Sequence, residues 1–289
     1  MASFQGMKIN PKKFHISQVK FYLVLVPVAL FMTLPIVYIL NQAFKPLDEL
    51  FRFPPTFIAR RPTLRNFRMI MSLTSGTGIP MSRFLINTVI ITVVTVSLSI
   101  LITAMSAYAF SKKKFGAREW LFRLNQAALM FVPAAVGIPR YLIIVKAGLN
   151  NNFLVHILPL LVMPVALFLV KQFVDQVPDS LIESARLDGA GEITVMSRIV
   201  FPLIKPALAT VGILCFQTVW GATEASNLYL VDDTLKSFAF YIGTLATLNT
   251  PAMAGVQAAA SLIMFLPNLV IFIAMQSKVM NTMSHSGIK

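Results

Sequence analysis

Cysteine is almost missing from this chain. The one example, Cys215, lies in an apolar run, so a disulfide within the chain and a cysteine-based metal site are both excluded. Histidine is nearly as scarce: His15, His156 and His285 stand far apart in sequence and read as ordinary surface or interfacial residues. No HExxH pattern and no pair of carboxylates occurs in any apolar segment, and a G-x-x-x-x-G-K-S/T phosphate loop is absent, which excludes ATP binding by this chain in that manner. Acids number 11 against 25 lysines and arginines. The long apolar runs hold almost no carboxylate to carry a proton or sodium ion, and their hydropathy shows no inverted repeat. No cleavable signal peptide is expected, because the first apolar segment is too long for a signal core and no small-residue cleavage site follows it.

What is plentiful is apolar. Of 289 residues, 56% are hydrophobic and 12% charged, and the mean hydropathy is +0.74. Soluble domains average about 25% charged residues, so this composition belongs to an integral membrane protein. The net charge of +14 could suggest nucleic acid. Here, however, the basic residues flank apolar runs and do not gather on one face, which fits anchoring at anionic lipid headgroups and orientation of the chain.

In chain order, residues 1–20 form a basic tail with Lys8, Lys12, Lys13 and Lys20. Residues 21–43 carry no charge and are long enough to span a bilayer, for which about 20 apolar residues suffice. Residues 41–83, with Pro46, Pro54, Pro55 and Pro62, are too irregular to lie in hydrocarbon. Further spans are expected at about 84–110, 120–138, 153–170, 206–223 and 255–276, with a short, partly buried helix before Asn249. The third is the weakest by pattern, since Arg123, Asn125 and Gln126 sit near its start. The expected fold is therefore an all-α membrane protein of about six transmembrane helices. Its parts are a cytoplasmic basic tail 1–20, a first helix and external segment 21–83, a transmembrane domain 84–278 and a cytoplasmic tail 279–289. Basic residues concentrate on the side of both termini (Lys112, Lys113, Lys114, Arg118, Arg186, Arg198, Lys278), which favours cytoplasmic termini; the segment holding Arg52, Arg60, Arg61, Arg65 and Arg68 runs against that rule.

Residues 176–208 stand out as the longest polar, mixed-charge interval between two strongly apolar ones. Ser180 with Glu183 reads as a capping box, Pro178 stops the preceding chain from continuing as helix, and Gly189 with Gly191 provides a flexible exit. A second amphipathic piece follows, with Ile193, Met196, Ile199 and Val200 expected on one side. The pattern Glu183-Ser184-Ala185, three residues, Gly189, nine residues, Ile199, one residue, Phe201-Pro202 resembles the Glu-Ala-Ala/Gly/Ile-x-Leu-Pro signature of ABC importer permeases. Asp188 and Ala190 beside Gly189, and Pro206 after Pro202, resemble the sugar-importing, maltose-type branch. Ser184 and Phe201 depart from the usual Ala and Leu while keeping size or apolarity. The resemblance covers nearly the whole chain, including Phe44-Lys45-Pro46, Phe53-Pro54-Pro55 and Asn66-Phe67-Arg68 of the external segment.

That resemblance implies a permease subunit without enzymatic activity in the inner membrane of a bacterium or archaeon. Glu183, Ser184, Ala185, Arg186, Asp188, Gly189 and Ala190 would form a cytoplasmic coupling helix, between the fourth and fifth spans, that docks on a separate ATPase. Glu183 and Gly189 would equally cap and end their own helix. Implied partners are a homologous second permease, a cytoplasmic ABC ATPase dimer holding ATP and magnesium, an external solute-binding protein and a sugar or oligosaccharide; this chain itself is expected to hold no cofactor, metal or nucleic acid. Gln217, Trp220, Glu224 and Asn227 recur at three- and four-residue spacing and, with Thr218 and Thr223, offer either a sugar-facing surface or a polar helix–helix interface. Gly221 replaces the Asn that often follows the Trp in the family. An ion-coupled transporter, an importer of a non-sugar solute and a non-transporting scaffold remain the alternatives.

Overall fold

The computed structural model describes residues 19–54, 56–72, 78–132, 135–247 and 250–286, with the side chains of 251–252 and 275–286 left aside. Those residues are nearly all helical. Four helices are long and apolar enough to cross a membrane: Val19–Phe44, Met81–Lys112, Lys205–Leu228 (interrupted near Gly221) and Met253–Ala274. A fifth crossing exists if Phe153–Leu160 and Pro164–Asp175, bent by 43° at Leu161–Met163, count as one span.

Two compact units divide the chain. The first holds residues up to 70 and residues 249–262. Its α1 (Val19–Phe44) buries only Ala43, as expected of a helix surrounded by lipid. The segment after it is folded. In α2 (Leu47–Leu50), Glu49 is buried and accepts the amides of Arg60 (2.9 Å) and Arg61 (3.0 Å). Asn66 in α3 (Arg65–Ser72) donates to the carbonyls of Ala43 and Lys45, both at 2.9 Å. The buried Lys45 gives its ammonium to the Thr56 carbonyl. Such pairing satisfies most polar groups of this charged, irregular segment, although the buried Gln42 Oε1 and Thr56 Oγ1 have no partner among the described residues. Gly255 completes the unit, since a Cβ there would meet Asn66 Nδ2 at 2.7 Å and Leu50 Cδ1 at 2.9 Å.

The second unit holds residues 71–248 and 263–289. Its axis is α4 (Met81–Lys112), opened by Pro80, whose fixed φ suits a helix start. Thr92, Thr95, Ser99, Thr103, Ala104 and Ala107 line its buried face, small side chains that let α7 (Pro164–Asp175) and α11 (Lys205–Trp220) approach closely. Val170, Val174, Val195, Val200, Ala207 and Val211 complete that core.

The third expected span, 120–138, is not one helix. It is divided into α5 (Arg118–Ala128) and α6 (Gly137–Lys146), with residues 133 and 134 outside the described set. The polar residues stay within α5, where Arg123 pairs with Glu119 one turn away in exposed surroundings and Asn125 donates to the Pro164 carbonyl at 3.2 Å. The fifth span ends at Gly221, after which α12 (Glu224–Leu228) starts anew. The short helix expected before Asn249 is α13 (Phe238–Thr247), with Phe238, Tyr241 and Leu245 buried. The last helix, α14, runs Pro251–Ser286.

Candidate functional site

The polar interval between α7 and α11 folds as a braced helical elbow. Pro178 (φ −61°, ψ 133°) is the N-cap of α8 (Asp179–Leu187), so the helix starts two residues earlier than a Ser180 cap requires. Ser180 falls inside the first turn and the expected capping box does not form, since no side chain caps this end. Asp179 takes the first position, where a carboxylate also favours the helix dipole. At the other end Gly189 has φ +83°, its N–H donates to the Arg186 carbonyl (3.0 Å), and the Ala190 N–H donates to the Ala185 carbonyl (2.9 Å). That pair of bonds is a Schellman motif, and its left-handed residue is the position where glycine costs least. Gly191 has φ −71°, ordinary for any residue, so the sharp exit depends on Gly189 alone.

Beyond the elbow, α9 (Glu192–Val195) passes into a π-helical turn at Met196–Val200 and then α10 (Phe201–Leu203). The π turn re-phases the buried face. Val195 and Val200, five residues apart, are both fully buried, while Ile193 is 78% exposed, contrary to the expected stripe through Ile193.

Three attachments brace this elbow on the end of α4. Lys112 Nζ donates to the Val177 carbonyl (2.6 Å) and to Asp179 Oδ1 (2.7 Å). Ser111 donates to Asp175 Oδ1 (2.6 Å), whose other oxygen takes Lys171 at 2.7 Å. Glu192 is the third. Its Oε2 accepts the Tyr108 hydroxyl at 2.8 Å, and its Oε1 pairs with Lys113 and with Arg186 (3.0 Å). Hydrogen bonding from Lys113 and then Tyr108 holds the Glu192 carboxyl below the usual glutamate range. Ile182 is the inward, buried residue of α8. Glu183, Ser184, Leu187 and Asp188 face outward, Leu187 at 88% exposure, and neither Glu183 nor Asp188 has an ion pair among the described residues. Ala185 and Ala190 are half-buried against the core, and Arg186 turns back to Glu192.

The second predicted group does not share a face. Gln217 and Trp220 end α11, whereas Glu224 and Asn227 belong to α12, and Gly221 between them breaks the helical phase that their spacing presumed. Trp220 is buried, stacks on Phe216 (5.4 Å) and donates its indole N–H to the Met264 carbonyl at 2.9 Å, the contacts of a helix–helix interface. Gln217 and Asn227 are exposed, Thr218 donates to the Leu214 carbonyl (2.9 Å), and Thr223 occupies the N-cap position of α12 without a side-chain capping bond. Glu224 meets a residue outside that group, Arg140 of α6. With Thr88, His156, Val219 and Tyr229 these two line a cavity of about 50 Å³. Arg140, Tyr229 and His156 were not singled out as site residues; the one available signal was a lone glutamate at a helix end in an acid-poor chain, which calls for a cation.

The family model for the binding-protein-dependent transport system inner membrane component matches residues 23–277. The chain belongs to that family. Among its relatives, the arabinooligosaccharides transport system permease protein AraQ of Halalkalibacterium halodurans is 30% identical over 91% of this chain and 93% of its own. The melibiose/raffinose/stachyose import permease protein MelC of Bacillus subtilis is 30% identical over 71% of this chain and 75% of its own. The crystal structure of a bacterial ABC transporter involved in alginate import contains a chain with the same fold, at a TM-score of 0.77 and 21% identity over 93% of this permease and 99% of that chain. Permease-family membership thus accounts for the helical architecture.

Proposed function

We propose that this permease carries a sugar or oligosaccharide across the membrane as one subunit of an ATP-driven importer. An external binding protein delivers the sugar, a second homologous permease completes the path, and a cytoplasmic ATPase dimer holds ATP and magnesium. Support for a sugar comes from relatives named for arabinooligosaccharides and for melibiose, raffinose and stachyose.

The observation that carries the reading is α8: a short helix, sharply ended at Gly189, presenting unpaired Glu183 and Asp188 and an exposed Leu187, and tied rigidly to α4. A polypeptide that cannot hydrolyse ATP must receive work from one that can, and such a handle passes a displacement on as a body. In this reading the stretch Glu183, Ser184, Ala185, Arg186, Asp188, Gly189 and Ala190 docks on the ATPase, with Glu183, Ser184 and Asp188 facing it and Ala185, Arg186, Gly189 and Ala190 holding the helix and its exit in shape, and the elbow and both termini lie in the cytoplasm. Closure of the ATPase pair draws the coupling helices together and opens the permeases outward; hydrolysis resets the inward-facing state. Each ligand drives this cycle only through its preference for one state.

Gly189→Asp tests the proposal. The open space around Gly189 accepts a side chain, but the left-handed backbone and a third carboxylate beside Asp188 do not favour one. Expected are normal membrane insertion, no uptake and no stimulation of ATP turnover by the loaded binding protein. Normal stimulation in the variant would contradict the coupling role.

A further inference from the structure

Resting on the sugar-permease reading, we infer that the cavity between Arg140, Glu224 and Tyr229 is a subsite for the hydroxyl-bearing edge of a neutral sugar. Its place in the fold comes first. Thr88 of α4 and Val219 of α11 line it, while Tyr108, Lys112 and Lys205 of the same helices mark the elbow end. Twenty residues separate Thr88 from Tyr108 along one continuous helix, about 30 Å at 1.5 Å per residue. The cavity therefore lies at the far end of the helices from the coupling elbow, the end at which an arriving sugar enters.

Its polar groups are selectively unengaged. The Tyr229 hydroxyl, in a residue 3% exposed, lies beside the Arg140 guanidinium without a hydrogen bond of full geometry among the described residues, and the buried Nε of Arg140 makes none there either. Leaving a buried polar group unpaired is costly, so two in one cavity signal something that binds there. The other polar linings are already engaged. Thr88 accepts the Phe238 amide (2.8 Å), Ser237 accepts from Ser226 (3.1 Å), and His156 Nε2 donates to the Leu235 carbonyl (3.1 Å).

Three groups of distinct chemistry remain. Arg140 Nε only donates, the Glu224 carboxylate only accepts, and the Tyr229 hydroxyl does both. Two neighbouring hydroxyls satisfy that set: one accepts from Arg140 and donates to Glu224, and the other exchanges with Tyr229. Because Arg140 and Glu224 neutralise each other, the set favours a neutral ligand over an anion or a cation. Ile91, Leu160 and Val219 supply apolar wall for C–H groups. A water occupies roughly 10–15 Å³ of such space, so a cavity of about 50 Å³ takes one edge of a sugar ring and not the whole ring.

The subsite is also held in shape. Tyr141 stacks on Tyr229 at 5.6 Å. The Asn151 N–H donates to the Tyr229 carbonyl (2.8 Å), and its side-chain oxygen accepts the amides of Val231 (3.1 Å) and Asp232 (2.9 Å). Tyr229→Phe removes one hydroxyl and keeps the stacking.

The test is uptake by the complete importer in proteoliposomes, using the transported sugar and a panel of its singly deoxygenated analogues. At subsaturating sugar, Tyr229→Phe is expected to lower uptake about threefold to tenfold, the range of one neutral hydrogen bond. For one analogue, lacking the hydroxyl that Tyr229 would hold, wild type and variant should transport equally. Arg140→Lys, which keeps the charge opposite Glu224 and loses the Nε donor, should erase discrimination at the neighbouring hydroxyl. A uniform loss across all analogues in both variants, the pattern of a cavity holding water only, would overturn the subsite alone. A wild-type importer that moves no sugar would overturn the sugar reading and the subsite with it.

Discussion

Glu192 illustrates how a single side chain can hold two elements in register. Its carboxylate takes Tyr108 and Lys113 from the end of α4 and Arg186 from α8, so it joins α8 to the long helix that reaches the far end of the unit. Each such exposed pair is worth about 0.2–1 kcal/mol, so Glu192→Gln should leave folding and assembly intact. Its expected effect is on coupling: binding-protein-stimulated ATP turnover falls severalfold relative to basal turnover. A parallel fall in both would show a merely structural role. The pH dependence has a definite sign. Because the folded-state pKa is depressed, the bracing is complete above the unfolded glutamate value of about 4.3 and is lost as pH falls through the lower folded value. Stimulated turnover should therefore show no pH dependence arising from Glu192 between about pH 6 and 8, and a Glu192-dependent slope in that range would mean that the brace is weaker than its geometry.

At the scale of elements, Gly255 shows two opposing effects. Gly→Ala inside a helix ordinarily stabilises by up to about 1 kcal/mol. Here the added Cβ would lie 2.7 Å from Asn66 Nδ2, and displacing that amide frees the Ala43 and Lys45 carbonyls. Buried groups left unpaired cost about 1–3 kcal/mol, so the clash wins and Gly255→Ala should be destabilising. Limited proteolysis within residues 45–64 should be faster in the variant while cleavage at the elbow is unchanged; unaltered proteolysis would show that Asn66 moves aside freely. The same elements show what a sequence can reveal. The apolar runs of α1, α4 and α14 were legible because lipid imposes length and composition on any helix that crosses it. Gly189 was legible because a left-handed residue at a helix end favours one residue type. The capping box failed because the helix starts two residues early, since Pro178 took the cap and Asp179 turned to Lys112, 67 residues earlier in the chain. The π turn moved Ile193 outward, and Gly221 separated Gln217 and Trp220 from Glu224 and Asn227. Arg140 and Glu224, 84 residues apart, meet only through the packing of α6 and α12, a contact that no local pattern encodes.

For the molecule as a whole, chemistry is placed at the two ends of the second unit. The elbow end has most of the ion pairs of that unit and an outward face of Glu183, Leu187 and Asp188; the far end has the Arg140–Glu224 cavity. Between them the buried face of α4 consists of small and hydroxyl side chains packed against α7 and α11. A movement imposed on α8 therefore reaches the far end through continuous helices and not through loops. Cross-linking to the ATPase tests this division of labour most directly. Cys215 is fully buried, so Leu187→Cys introduces the sole exposed thiol of the described residues. In the assembled importer that thiol should form a cross-link to the ATPase subunit, in a yield that changes when ATP is added, whereas Val231→Cys, 80% exposed at the far end, should form none. An assembled, active complex in which Leu187→Cys never reaches the ATPase would contradict the assignment of α8 as the coupling helix.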